Sequence, residues 1–363
     1  MKTTLRHFPS LLLLAAAAPL CAQDHDLRVA TKKGASVWLQ QETKMEQAID
    51  MGGQQMDMGN ATTTTIQATV VDVDAKGVAT VEMKVARIQG SMTLPMMGDV
   101  EFDSLNPAPE AGDGGADDFG MPNLDAIGAA MASLAGNTFV VKIDARGEVV
   151  SMDGVEKVLD AARKKAGRMG SQMLGGQLNE GNVRRLAESL FGERPEQAVA
   201  VGGAWETSEK DKAGRNMQVV QKLKSTLAKA SAEAFEVTVA GTVEKPAGTE
   251  PGKAAGDESE ESAMAREMMS KMEMKNGKIT GSAKYSRTDG FVVESASTMS
   301  MSITAPSPMG GDMAIDMTNR TTVKRVTEAA AQKAEPAKDA PAKEGEAKDG
   351  AAKGQDVKAG DKK

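Results

Sequence analysis

Three times in this 363-residue chain a turn bearing Asp and Gly separates two runs in which apolar and polar residues alternate. Residues 62–74 carry Ile66, Ala68 and Val70 on one parity, and Asp74-Ala75-Lys76-Gly77 then leads into 78–88. The same chemistry returns at Asp144-Ala145-Arg146-Gly147, between 138–143 and 148–152, and at Thr288-Asp289-Gly290, between 278–287 and 291–303. Alternation sends one apolar set to one face of a strand, and Gly accepts the backbone angles of a tight reversal, so each unit reads as a β-hairpin. Antiparallel pairing is therefore the expected rule. Two further strand patterns, 37–45 with Trp38 and 204–209 with Trp205, precede the long hairpins.

The order of these pieces predicts an internal duplication. Each half reads Trp-bearing strand, long hairpin, polar excursion and Asp/Gly hairpin: Trp38, 62–88, 99–125 and 138–152, then Trp205, 215–243, 244–262 and 278–303. Helices interrupt the pattern at 123–134, which is Ala-rich, at 153–165, which starts on Asp153, and at 182–191, which ends before Gly192 and Pro195. The expected fold is α+β, mainly antiparallel β, with two related β-rich halves, 23–200 and 201–327, covered by a few helices.

Three segments lie outside this core. Lys2 and Arg6 followed by an apolar run to Ala18, Pro19 and the small exit before Gln23 have the order of a cleavable secretory signal, 1–22, cut near Ala22. The run is too short to span a bilayer, which needs about 20 residues, and none like it follows. The acidic, Gly- and Pro-rich stretch 99–125 and the polar loop 244–262 read as flexible. The tail 328–363 holds almost only Ala, Lys, Glu, Asp, Gly and Pro, with lysines every five residues from Lys333 to Lys358, which makes no helical face. It reads as disordered.

Beyond residue 22 the chain has no cysteine, one histidine (His25) and one tyrosine (Tyr285). Most nucleophiles, general bases and metal ligands come from these types, and no G-x-S-x-G, P-loop, H-E-x-x-H or C-x-x-C motif occurs, so the composition argues against an enzyme and calls for no cofactor. Without disulfides, stability must come from packing. Loss of Lys2 and Arg6 takes the net charge from −7 to −9, and aromatics make up 3% of the chain, which speaks against nucleic acid as a partner.

Methionine, at 25 residues, is the one excess with chemical meaning. Met264, Met268 and Met272 fall at i, i+4, i+8, with Asp257 and Glu260 in capping-box positions and Gly277 as a stop, which predicts a helix with an apolar stripe that packs on the sheet or forms an adaptable lid over an apolar groove. Met299 and Met301, then Met313 and Met317, alternate with polar residues, the pattern of a strand face filled by Met. The same thioethers, with Met56 and Met58 or Met96 and Met97, are the alternative Cu(I) ligands or an oxidant sink. Trp38 and Trp205 read as strand anchors or stacking residues for a ligand. Asp113, Asp117 and Asp118 match no known Ca²⁺ spacing, and His25 reads as part of a frayed end.

At Phe102-Asp103-Ser104, at Gly202-Gly203-Ala204-Trp205, and from Gly277 and Gly281 into Tyr285 and Asp289-Gly290, the chain resembles an uncharacterised family of exported bacterial proteins known only as a domain of unknown function. The resemblance covers about 27–326 and implies a signal peptide and β-rich repeats; it transfers no catalytic residue. By looser analogy, such sheets look like the incomplete barrels of periplasmic lipid and lipoprotein carriers. The expected function is a non-catalytic binding, carrier or envelope scaffold module, secreted or periplasmic, whose partner is an apolar ligand or an envelope component. The alternative is a Met-rich copper-binding or oxidant-buffering protein.

Overall fold

A computed structural model describes residues 23–94, 98–107, 124–166, 179–213, 217–245, 271–306 and 311–333. In it the Asp/Gly turns close as their chemistry requires. Asp74 Oδ1 accepts hydrogen bonds from the backbone N–H groups of Lys76 (2.8 Å) and Val78 (2.9 Å). Asp144 Oδ1 does the same for Arg146 and Glu148, both at 2.9 Å, and Asp289 Oδ1 for Phe291 at 3.1 Å. Gly77, Gly147 and Gly290 take φ of 83°, 84° and 78° in these turns, a region that a Cβ disfavours.

The strands are β1 (Asp24–His25), β2 (Ser36–Met51), β3 (Gln54–Val73), β4 (Ala79–Leu94), β5 (Gly98–Asp103), β6 (Thr138–Ile143), β7 (Val149–Asp153), β8 (Val199–Ala200), β9 (Ala204–Ala213), β10 (Met217–Ala230), β11 (Ala234–Glu244), β12 (Glu273–Ser286), β13 (Val292–Pro306) and β14 (Asp312–Val326). The helices among the described residues are α1 (Leu124–Ala132), α2 (Val155–Lys165), α3 (Glu180–Phe191) and α4 (Glu328–Lys333). Twelve strands form one antiparallel sheet in the order β7-β6-β4-β3-β2-β14-β13-β12-β11-β10-β9, with β5 beside the far part of β4; β1 pairs β8 separately. The fold is thus α+β and mainly antiparallel β. Two consecutive meanders join where β2 pairs β14, from Met51↔Met313 to Trp38↔Val326.

The sheet is strongly curved. α3 touches both β7 and β13, which lie six strand spacings apart, about 29 Å along a flat sheet. A helix about 10 Å across can reach both only if the sheet wraps around it. Inside that curve, Leu39, Ile66, Val81 and Val141 from the strands meet Ile127, Leu159, Leu190 and Phe191 from α1, α2 and α3 in one buried cluster. Each such side chain contributes roughly 1.5–3 kcal/mol by leaving water. The cluster lies towards one end of the strands, where the turns 74–78, 144–148, 231–233 and 287–291 gather, and we call this the closed end. At the opposite, distal end lie the β2–β3 turn and the strand ends at 94, 98, 213, 217, 244, 306 and 312; residues 95–97, 214–216, 246–270 and 307–310 fall outside the described residues.

Several expectations need correction. The excursion read as flexible from 99 begins with β5: Val100 and Phe102 alternate into the core and Asp103 pairs with buried Arg87, so burial and a half-buried ion pair hold what composition suggested was loose. α2 starts at Val155 from Gly154, φ 83°, with no side-chain cap, and Asp153 belongs to β7. The tail reading fails at its start: Thr327 Oγ1 accepts from Ala330 N–H at 3.2 Å, and the Ala-rich α4 packs on β2 and β4 with Ala331 buried. His25 pairs with Val199 in β1 and is not frayed. The predicted signal 1–22, the aspartates 113, 117 and 118 and the tail from 334 lie outside the described residues.

Candidate functional site

Residues directly opposite each other on antiparallel strands share a face, so the register sorts the strand side chains into an inner face, towards the helices, and an outer one. The outer face carries the charge: Arg320 meets Glu46 at 2.9 Å, Lys324 meets Glu42 at 3.2 Å and Lys222 meets Glu244 at 2.7 Å. Across β2–β7 and β10–β14, the described inner face carries one charged residue, Arg325. Arg325 sits at the closed end, where it forms a bidentate pair with Asp289 at 2.7 and 2.9 Å.

Along the inner face the strands pass through three zones. The closed end is the buried core. A belt of neutral hydrogen-bonding residues follows, with Thr43, Thr62, Thr64 and Thr321 half-buried. Beyond the belt the face becomes a field of thioethers. Met51 faces Met313, Ile49 faces Met56 and Ile315, and Met317 faces Met301. Met45 lies between Asn60 on β3 and Asn319 on β14, and Met58 faces Gln47. Towards β10–β12, Val219, Val243, Ile279, Met301 and Ile303 form a second buried cluster, against which Met274, Met299, Ile315 and Met317 pack half-buried. On β2, β3 and β14 the methionines at 45, 51, 56, 58, 313 and 317 stay half-buried, flexible and apolar.

The closed end is locked by a buried cation. Arg194, 2% exposed, stacks its guanidinium 3.8 Å above Tyr285 and 4.6 Å above Phe235. Its backbone N–H bonds Arg146 O at 2.8 Å, in the β6–β7 turn, and its Nη2 reaches Gly290 O at 3.4 Å, in the β12–β13 turn. One residue thus ties a hairpin turn of each meander. Burial pulls its guanidinium down to about 10 and pushes the Tyr285 phenol up. Burial is the largest single influence on Asp289 and raises it, but the Arg325 hydrogen bonds and charge, with the Phe291 N–H and Ser286 bonds, together leave the carboxyl below its ordinary value; for Asp103 the Arg87 hydrogen bonds dominate and lower it.

The sequence-derived site residues fall in different places. Met299, Met301, Met313 and Met317 do share one face of neighbouring strands, with Met301 buried as core filler. Met264 and Met268 lie outside the described residues. Met272 is not helical: it precedes β12, which starts at Glu273 ahead of Gly277, and packs on the second cluster. Trp38 and Trp205 are not equivalent. Trp38 is on the outer face of a central strand, between inward Val37 and Leu39, whereas Trp205 is on the inner face of edge strand β9, against the main core. Sequence reasoning missed Met45 and Met51, whose membership in the face depends on the long-range β2–β14 register, and Arg194, whose aromatic partners are distant in sequence. Among the described residues no three His, Cys, Asp or Glu side chains are placed to hold a metal ion, and no helix is long and apolar enough to cross a membrane.

Similarity to solved structures is remote. A lipovitellin structure that concerns lipid–protein interactions aligns with 82% of this chain at 11% identity and a TM-score of 0.38, and the chain spans only 26% of that protein. An outer membrane channel from Pseudomonas putida F1 aligns with 84% of this chain and 99% of its own length, at 8% identity and a TM-score of 0.23. No curated protein matches. A family model does match, over residues 76–292, which run from the first Asp/Gly turn through the Arg194 clasp to the start of β13. This chain therefore belongs to the family of unknown function DUF6263.

Proposed function

We propose that this chain is an exported, non-catalytic binding module that holds an apolar molecule against the distal, methionine-rich zone of its inner face. The observation that carries the reading is the inner-face register: methionines from β2, β3, β13 and β14 lie on one surface beyond the main core, and those at 45, 51, 56, 58, 313 and 317 remain partly exposed. Flexible thioethers suit ligands of variable shape. The near absence of charge on this surface supports binding rather than catalysis, since acid/base and nucleophilic steps need titratable groups at the site.

The test is titration with an uncharged naphthylamine dye whose emission rises in apolar surroundings. Binding should saturate, and the double variant Met45→Gln, Met317→Gln should weaken it about tenfold, consistent with lost apolar contact, while the melting temperature moves little. Unchanged affinity in that variant, or no saturable binding by the wild type, defeats the reading and leaves a scaffold whose face is covered by envelope proteins.

A further inference from the structure

We propose that the ligand of this face is an uncharged lipid that carries one hydrogen-bond donor, a hydroxyl or amide N–H, received by Asn319. The proposal rests on the reading above and narrows it to a substrate class. Asn319 lies on the inner face of β14 where the polar belt meets the methionines, with Met45 opposite on β2 and Met299 opposite on β13. Its Oδ1 is buried and accepts no hydrogen bond from the described residues, but the side chain as a whole is only half-buried, so rotation about its soft Cβ–Cγ bond brings the oxygen to the face. Across Met45, its counterpart Asn60 is satisfied: Thr62 Oγ1 donates to Asn60 Oδ1 at 2.9 Å. A buried amide oxygen without a donor is costly, so its retention at the edge of an apolar surface points to a donor brought by the ligand.

Charge decides the rest of the class. A carboxylate or phosphate headgroup held at the belt would lose its hydration with no cation in reach among the described residues, because the described inner face of β2–β7 and β10–β14 offers only Arg325, already engaged by Asp289 at the closed end. A neutral hydroxyl loses far less water and gains the Asn319 acceptor. The alkyl part then lies on Met45, Met313 and Met317. A site that is built to receive a donor rejects the analogue lacking it, because the acceptor is left unpaired.

The experiment displaces the naphthylamine dye from the full chain at pH 8 with three ligands of one chain length: hexadecanol, hexadecyl methyl ether and hexadecanoate. Hexadecanol should compete about tenfold better than the ether and at least as much better than the anion. Asn319→Leu should erase the alcohol–ether difference, with each competitor read against the dye affinity of the same variant. Equal competition by alcohol and ether in the wild type, stronger competition by hexadecanoate, or an alcohol preference that survives in Asn319→Leu overturns the proposal. The wild-type comparison stands without the variant should that variant fold poorly. Failure of the dye itself to bind is a separate result, which overturns the binding function on which this class depends.

Discussion

Arg194 lies with its guanidinium 3.8 Å above the ring of Tyr285, and the oxygen of that tyrosine occupies the space a side chain on Gly192 would fill. The loop that ends α3 is thereby pressed between the two meanders. Among the described residues no carboxylate pairs with Arg194, and its Nε and Nη1 have no acceptor. Aromatic faces and two turn contacts hold a cation that burial alone would expel.

Replacement of Arg194 separates shape from charge. Arg194→Met keeps most of the volume and removes the desolvated charge, and its urea midpoint should match or exceed that of the wild type. Arg194→Ala leaves a void between Phe235 and Tyr285 and should lose about 3 kcal/mol. Equal losses in the two variants, seen by urea denaturation, would show that the charge itself is indispensable.

Gly192 should tolerate no side chain. At φ 67° a Cβ would lie 2.1 Å from Tyr285 Oη, so Gly192→Ala should cost about 3 kcal/mol through strain and displacement of the ring. Gly34 also has a positive φ, 86°, but faces open space. Gly34→Ala should cost only about 1 kcal/mol, and thermal melts of the pair check the contrast.

Acid should weaken the fold through Asp103 and Asp289. Both carboxyls titrate lower in the folded chain than in the unfolded one, so the unfolded state takes up protons first. The stability they supply is complete above about pH 4, the ordinary aspartate range, and is lost as pH falls below it through their folded values. Asp103→Asn should lower stability by about 1 kcal/mol at neutral pH and flatten its decline between about pH 4 and pH 2; a profile parallel to that of the wild type would exclude Asp103 as a contributor.

Truncation distinguishes the packed start of the tail from the remainder. A chain ended after Lys333 should melt with the full-length protein. One ended after Val326 loses α4 and the burial of Ala331 over β2 and β4, and should lose about 1 kcal/mol. Trp38, directly opposite Val326, should report the second cut as a shift in fluorescence.

Local chemistry was legible in the sequence, and long-range register was not. The Asp74, Asp144 and Asp289 turns, and the body of α3 up to its stop at Gly192, follow from neighbours a few residues apart, whereas the start of α3 at Glu180 under its Asn179 cap lies two residues before the expected 182. The split of Trp38 from Trp205 was also readable: Val37 and Leu39 claim the inner parity around Trp38, while Glu206 takes the outer one beside Trp205. Matching the two tryptophans by their place in each half ignored that parity. The methionine face could be seen only as local pairs such as Met299 and Met301, because Met45 and Met51 join it through strands from the other end of the chain. Arg194 gave no local signal, since its rings stand at 235 and 285. Asn319 looked like any polar strand residue until its neighbours on β2 and β13 were apolar.

Lys324 and Glu42 touch across the β2–β14 seam although 282 residues separate them. The seam at the middle of the sheet is thus also its slowest bond to make, since closing so large a loop costs entropy before any contact returns it. Until β14 arrives, each meander exposes a raw edge with unpaired amides, which invites pairing with the wrong chain. The last long strand acts as a keystone. A nascent chain cannot complete its sheet until β14 is present, and any truncation upstream of 312 should give sticky half-sheets in place of a smaller folded protein.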